Sequence, residues 1–172
     1  MAEIYFAGGC FWGVEKYFRC LVGVEDTLVG YANGTTEHPT YQQVCQGNTG
    51  YAETVKVVYR TEQISLSVLL QRFYQIIDPT SLNRQGPDRG TQYRCAVYYV
   101  TADLPVIQES LAALQRRYAQ PLVVEVAPLR QFYPAETYHQ RYLDKNPGGY
   151  CHISPVLFTK AQLPLEPEYL KP

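Results

Sequence analysis

The sequence is short of several things, and each shortage excludes a class of protein. Its 172 residues include one Met, one Trp and three His. No apolar run approaches the roughly 20 residues that a helix needs to cross a bilayer. The opening Met1-Ala2-Glu3-Ile4-Tyr5 lacks a basic stretch followed by a long apolar one, so no secretory signal is visible. Neither sign of charge dominates: 15 basic residues face 16 acidic ones, for a net charge of −1. That balance provides no electrostatic footprint for nucleic acid and no patch for an anionic membrane. There is no internal repeat, no low-complexity tract and no C-x-x-C. The five cysteines, Cys10, Cys20, Cys45, Cys95 and Cys151, are odd in number and widely spaced. Such a set reads as reduced thiols in a cytoplasmic setting, not as a disulfide framework.

What is present describes a folded domain. Hydrophobic residues make up 46% and charged residues 18%, and there are 16 Tyr. A chain near the common domain size of about 150 residues forms one domain. It buries roughly 70% of its unfolded surface and needs no metal or disulfide staple. Alternation predicts strands over 2–7, 22–31, 53–59 and 93–100, with a short β-rich strand over 122–126. The 3.6-residue period predicts helices from about Phe11, over 65–77 and from Leu104 towards Pro121, with a last short one over 135–143. Segments 30–40 and 82–91 read as loops, and Asp78-Pro79 stops the helix before it. Strands interleaved with helices give an α+β class, a two-layer domain with a mixed sheet. Residues 1–153 form the folded domain in this reading, and 154–172 an irregular tail or linker.

The most informative segment is Gly8-Gly9-Cys10-Phe11-Trp12-Gly13. A strand ends, two glycines allow a sharp bend, and Cys10 stands where a helix begins. The free N–H groups and the dipole at that end favour a negative charge, so the position predicts a thiolate of lowered pKa. Phe11 and Trp12 provide an apolar wall for a small apolar substrate group.

Gly9-Cys10-Phe11-Trp12-Gly13 resembles the signature of the peptide methionine sulfoxide reductase A family. The resemblance continues through Tyr41-Gln42-Gln43-Val44-Cys45, Ala52-Glu53-Thr54-Val55, the run from Gln85 to Arg94, Tyr138-His139-Gln140 and the run from Lys145 to Cys151. It covers about residues 3 to 153, with the motifs in matching order. It implies reduction of methionine S-sulfoxide, free or in proteins, with electrons from thioredoxin and no cofactor or metal. It also implies an α/β roll related to the split βαβ (ferredoxin-like) plait, working as a monomer. One enzyme type serves each sulfoxide epimer.

By the same resemblance Cys10 is the nucleophile, Glu53 the acid, and Tyr41 and Tyr93 the donors to the sulfoxide oxygen. Phe11 and Trp12 hold the S-methyl group, and Asp88 lies near the substrate backbone. The residues suit these roles. Glu53 shares a strand face with Val55, Val57 and Tyr59, so its carboxyl is desolvated and its pKa raised towards a value fit for acid catalysis at neutral pH. Neutral phenols can stabilise charge growing on oxygen. Cys151 matches the recycling position, and Gly148-Gly149 suggest a flexible segment able to swing to Cys10. Cys20 lies about 15 Å along the helix, too far to bond without unwinding. Cys45 and Cys95 are expected to pack, with Cys45 as the reserve resolver. Tyr51 stands where many relatives carry His and is expected at the pocket rim. Three alternatives use the same residues: a metal module, whose ligand spacing is poor; a thiol peroxidase or hydrolase; and a non-catalytic binder of oxidised Met, which would need none of Cys10, Glu53 and Cys151 as reacting groups.

Overall fold

The computed structural model describes residues 1–165. In chain order its elements are β1 (Ala2–Gly8), α1 (Phe11–Arg19), β2 (Val24–Ala32), α2 (Tyr41–Cys45), β3 (Ala52–Tyr59), α3 (Leu66–Tyr74), β4 (Arg84–Gln85) and β5 (Asp88–Arg89). There follow β6 (Cys95–Tyr99), α4 (Leu104–Gln115), β7 (Glu125–Pro128), β8 (Phe132–Pro134), α5 (Tyr142–Lys145) and α6 (Pro155–Lys160). Six strands form one sheet in the order β7-β6-β1-β3-β2-β8. Every neighbouring pair is antiparallel except β6 and β7, so the sheet is mixed. Strands β4 and β5 make a separate small hairpin.

The alternation in β1 divides the sheet into two faces. Ile4 and Phe6 point into the main core with Val55, Val57 and Val97, where α1 and α3 cover them with Val14, Phe18, Leu69, Leu70 and Phe73. Phe6 stacks between Phe18 and Phe73, with ring centroids 4.7 Å apart in both pairs. The opposite face carries Tyr5, Ala7, Ala52, Ala96 and Tyr98 and is covered by Ala127, Leu129 and Phe132 from the strand ends around β7 and β8. The helix-covered face therefore carries the larger apolar cluster, and the other face mixes alanines with two tyrosines. Ser65 caps α3 by accepting from the Val68 N–H at 3.2 Å.

The structure departs from the expected elements where tertiary partners decide. The 30–40 loop leads into the short helix α2, closed by the capping box of Thr40 and Gln43. The 82–91 loop contains the β4–β5 hairpin. The strand expected at 122–126 pairs only from Glu125, because the Val123 N–H is taken by the Pro79 carbonyl. The helix expected over 135–143 is split: a 3-10 turn at Thr137–His139 and then α5, with Arg141 left-handed between them (φ +52°). The tail expected to be irregular from 154 carries α6, and Arg72 donates to the carbonyls of Lys160 and Leu163. Residues 166–172, the rest of that expected tail, lie outside the described residues. No helix among the described residues is long and apolar enough to cross a membrane.

Candidate active site

β1 ends at Gly8, and Gly9 turns the chain with φ +91°, a conformation that a side chain would strain. Cys10 follows as the residue that opens α1. The usual Ser, Thr or Asp cap is missing there, and the first turn holds no acidic residue. The carboxylate that satisfies the helix end comes from across the fold: Glu53 Oε1 accepts the Phe11 N–H at 3.3 Å. Glu53 lies in β3, opposite Tyr31 of β2, and is 1% exposed. Its Oε2 accepts from Gln92 Nε2 at 3.0 Å.

These contacts set two proton affinities against each other. Burial pushes the Glu53 carboxyl up to about 7; the bonds from Gln92 and Phe11 hold it down, and the charge of Asp88 adds to the rise. Burial also pushes the Cys10 thiol well above its ordinary value, and the Glu53 carboxylate adds to that; the Trp12 N–H pulls the other way. The expectation of a resting thiolate is therefore corrected. The helix N-terminus is present, but desolvation and a neighbouring carboxylate outweigh it. Cys10 rests as a thiol, and protonating Glu53 removes the charge that opposes its ionisation.

Cys10 and Glu53 open on a cavity of about 310 Å³ that is also lined by Phe11, Trp12, Tyr41, Asp88, Tyr93 and Tyr150. Tyr41 starts α2, where its own N–H donates to Glu136 Oε2 at 3.0 Å. Tyr93 ends a 3-10 turn spanning Thr91–Tyr93, not the strand that was expected. Burial and then the Glu53 charge raise the Tyr93 phenol; burial, Cys45 and Glu53 raise that of Tyr41. Both are neutral donors at physiological pH. Asp88 is on the β5 strand of the hairpin and accepts from the Tyr150 hydroxyl at 2.8 Å.

The apolar wall is held from behind by residues that the sequence reading did not assign. Trp12 Nε1 donates to His139 Nδ1 at 3.0 Å, and the indole stacks on Tyr142 at 3.7 Å and 12°. His139 also packs against Phe11 and Tyr41. It is buried, which lowers its pKa, and accepting at Nδ1 fixes the neutral ring with its proton on Nε2. Gln92, Tyr150 and Glu136 were also missed as site residues. His139, Gln92 and Tyr150 all lie within motifs that resemble the family, so their place in those motifs was the available signal.

Cys151 stands outside the cavity lining, half-buried, with its Sγ towards the Ile153 carbonyl at 3.6 Å. A Cβ on Gly13 would lie 3.0 Å from that sulfur and 3.3 Å from Ile153 Cδ1. Gly13 is thus the seat of the Cys151 segment against α1, and the segment does not hang free. All five cysteines are unpaired. Cys95 is buried as expected, but Cys45 is exposed, with its Sγ 3.5 Å from Gln92 Nε2. Tyr51 is buried away from the cavity, its hydroxyl between the Thr36 carbonyl and Gln131 Oε1 and its ring against Gly34. It holds the 33–40 loop and does not form the pocket rim. Among the described residues no group of three or more His, Cys, Asp or Glu could hold a metal ion.

The model of the family described as "Peptide methionine sulfoxide reductase" matches residues 2–164. The chain belongs to the peptide methionine sulfoxide reductase family. A curated relative, peptide methionine sulfoxide reductase MsrA of Lachnoclostridium phytofermentans, is 54% identical over 160 residues, covering 92% of this chain and 96% of that one. The reduced form of Mxr1 from Saccharomyces cerevisiae superimposes with a TM-score of 0.83 at 40% identity, covering 87% of both chains. The same yeast protein in complex with Trx2 gives a TM-score of 0.58 at 26% identity, over 81% of this chain and 83% of that one. As a member of this reductase family, the protein is an oxidoreductase that returns methionine sulfoxide to methionine by cysteine chemistry.

Proposed function

We propose that the protein reduces the S-sulfoxide of methionine, free or within polypeptides, by attack of Cys10 on the sulfoxide sulfur. One observation carries this: a thiol, a carboxyl tuned to about 7 and two neutral phenols share one cavity with an apolar wall. The wall of Phe11 and Trp12 takes the S-methyl group. The oxygen points to Glu53, Tyr41 and Tyr93. Glu53 gives its proton to that oxygen as the Cys10 sulfur attacks, and the S–O oxygen passes to Cys10. Methionine leaves, Cys10 is a sulfenic acid, and Glu53 ends with the proton that the thiol gave up. While Glu53 holds its proton, the charge that opposes the Cys10 thiolate is absent, so the attack starts from the protonated acid. Asp88 holds the substrate backbone at the cavity mouth.

Cys151 then attacks the sulfenic acid, giving a Cys10–Cys151 disulfide and water. Its seat on Gly13, one helical turn from Cys10, supports this assignment over Cys45. Thioredoxin reduces the disulfide by exchange, a reading supported by the yeast relative's complex with Trx2. The strand order β6-β1-β3-β2, with α1 and α3 as crossovers, supports a split βαβ plait at the core of the roll. A cytoplasmic workplace suits both the reductant and five unpaired thiols.

The test is incubation with racemic methionine sulfoxide and dithiothreitol, followed by chiral analysis. Loss of the S epimer alone is expected; survival of both epimers would overturn the reading. Cys151→Ser should release one methionine per enzyme and then fail to cycle with thioredoxin. Full steady-state turnover in that variant would remove Cys151 from the scheme.

A further inference from the structure

The residue after the recycling cysteine has its own place in the fold. His152 Nε2 lies 3.0 Å from the Gly8 carbonyl. A carbonyl only accepts, so Nε2 carries the proton and Nδ1 is a bare lone pair. That Nδ1 is buried and has no hydrogen-bond partner. Most buried ring nitrogens find one, so an orphan calls for an explanation. Its position gives one. A Cβ on Gly13 would lie 3.4 Å from His152 Nδ1 and 3.0 Å from Cys151 Sγ. Nδ1 and the Cys151 sulfur therefore border the same small space above the first turn of α1. The imidazole is also wedged by the bend before Cys10: a Cβ on Gly9 would meet His152 Nε2 at 2.9 Å. Gly9 and Gly13, the two glycines flanking Cys10-Phe11-Trp12, leave the room that this ring and the Cys151 sulfur fill.

We propose that His152 Nδ1 accepts the proton of Cys151 when that thiol attacks the Cys10 sulfenic acid. The proposal rests on the reductase reading and assigns it a base for its second step. The Cys151 S–H turns from the Ile153 carbonyl to Nδ1 and is ionised there. The S–S bond forms as the S–O bond of the sulfenic acid breaks. The leaving oxygen takes the proton that His152 has accepted, so water departs and the ring returns to neutral. The Nε2 bond to Gly8 is unchanged throughout and keeps the ring from turning. The ionisable groups near the ring are Asp88 on the hairpin and the Cys151 thiol; burial lowers the ring's pKa and outweighs the Gly8 bond and the Asp88 charge, which raise it, so the base is free at neutral pH.

The experiment is a single turnover with stoichiometric methionine sulfoxide and no reductant, quenched in acid. Methionine and the Cys10–Cys151 disulfide are counted separately from pH 6 to about 8.5. His152→Gln places an amide N–H where Nε2 was, so it keeps the Gly8 bond and removes the base. It should retain the methionine burst and form the disulfide about 100-fold more slowly at neutral pH, as expected for loss of a general base. Its disulfide rate should climb with pH as the free thiol ionises, whereas the parent enzyme's stays flat. His152→Asn should show the same slope. A disulfide rate in His152→Gln equal to the parent's, or one that is slowed but equally flat with pH, would overturn the proposal and leave the ring a mere anchor. No methionine from the parent enzyme would overturn the reductase reading as well, and the two failures are told apart by which product is missing.

Discussion

Two glutamates, Glu15 and Glu53, are each 1% exposed, yet only Glu53 lines the cavity. Both have carboxyls raised by burial, and both accept one backbone N–H and one side-chain donor. Glu15 Oε1 accepts the Arg141 N–H at 2.6 Å, and Oε2 accepts the Thr27 hydroxyl at 2.8 Å. The charge of Arg19 also favours its ionised form. Glu53 has Asp88 as the charge acting on it, which disfavours ionisation, and it opens on the cavity beside Cys10. Burial thus raises both groups, but an acid catalyst also needs empty space in front of it and no cation at its back. The pair separates a carboxylate that holds two segments together from one that can give up its proton.

The largest effects belong to the cavity side of this comparison. Cys10→Ser should abolish even the first turnover, since a hydroxyl cannot form the sulfenic acid; a methionine burst from the variant would show another nucleophile. Glu53→Gln comes next. It should slow the first step by about 10²–10⁴-fold, the usual worth of a positioned acid, measured by rapid quench. In the parent enzyme that step should fall as pH rises through about 7, where Glu53 loses its proton. Stability follows the same direction with pH. A carboxyl raised from 4.5 to about 7 stabilises fully below 4.5, and that contribution is lost as pH rises to about 7. Glu53→Gln should therefore match the parent near pH 4.5 and exceed it near pH 8 by up to about 3 kcal/mol in denaturant unfolding. A variant less stable at pH 8 would mean that Glu53 is ionised without strain and is no acid.

Smaller losses are expected from the phenols. Tyr41→Phe and Tyr93→Phe each remove one donor to the oxygen, and each should lower the first-step rate by about 10-fold to 10²-fold with the burst size unchanged. Equal rates in both variants and the parent would leave Glu53 as the sole group acting on the oxygen. The double variant should lose more than either single one, because the two phenols face the same oxygen in this scheme.

Much of the cavity side was legible because its residues sit in contiguous motifs. The bend at Gly8-Gly9, the helix from Phe11 and the strand carrying Glu53 follow from local pattern. Cys10, Glu53, Tyr41, Tyr93, Phe11, Trp12 and Asp88 all line one cavity. The thiol's protonation was not legible, since helix position is read locally whereas the opposing carboxylate arrives from β3. The same reason hid His139 behind Trp12 and Tyr142 beneath it, more than a hundred residues away along the chain. Helix α2 escaped because five residues show no period; only Thr40 and Gln43 marked it. The helix expected over 135–143 failed because the N–H of Arg141 is claimed by Glu15, which no local pattern reports.

That last contact makes Glu15 the sharpest control for the whole comparison. Its two partners differ in kind: the Arg141 N–H only donates, but the Thr27 hydroxyl can donate or accept. Glu15→Gln can therefore keep its oxygen on Arg141 and offer its amide to a turned Thr27, and burial no longer opposes a charge. Stability should stay within about 1 kcal/mol of the parent, and the first-step rate within about twofold, since the variant leaves the cavity untouched. Glu15→Ala leaves both partners unpaired and empties the space, which should cost about 2–4 kcal/mol and loosen the Arg141 turn. That turn leads into Tyr142, the ring on which Trp12 stacks. The alanine variant should accordingly raise KM more than it lowers kcat, because the methyl wall is disturbed while Cys10 and Glu53 are not. A Glu15→Gln variant as damaged in its first step as Glu53→Gln would erase the distinction between the two buried carboxylates.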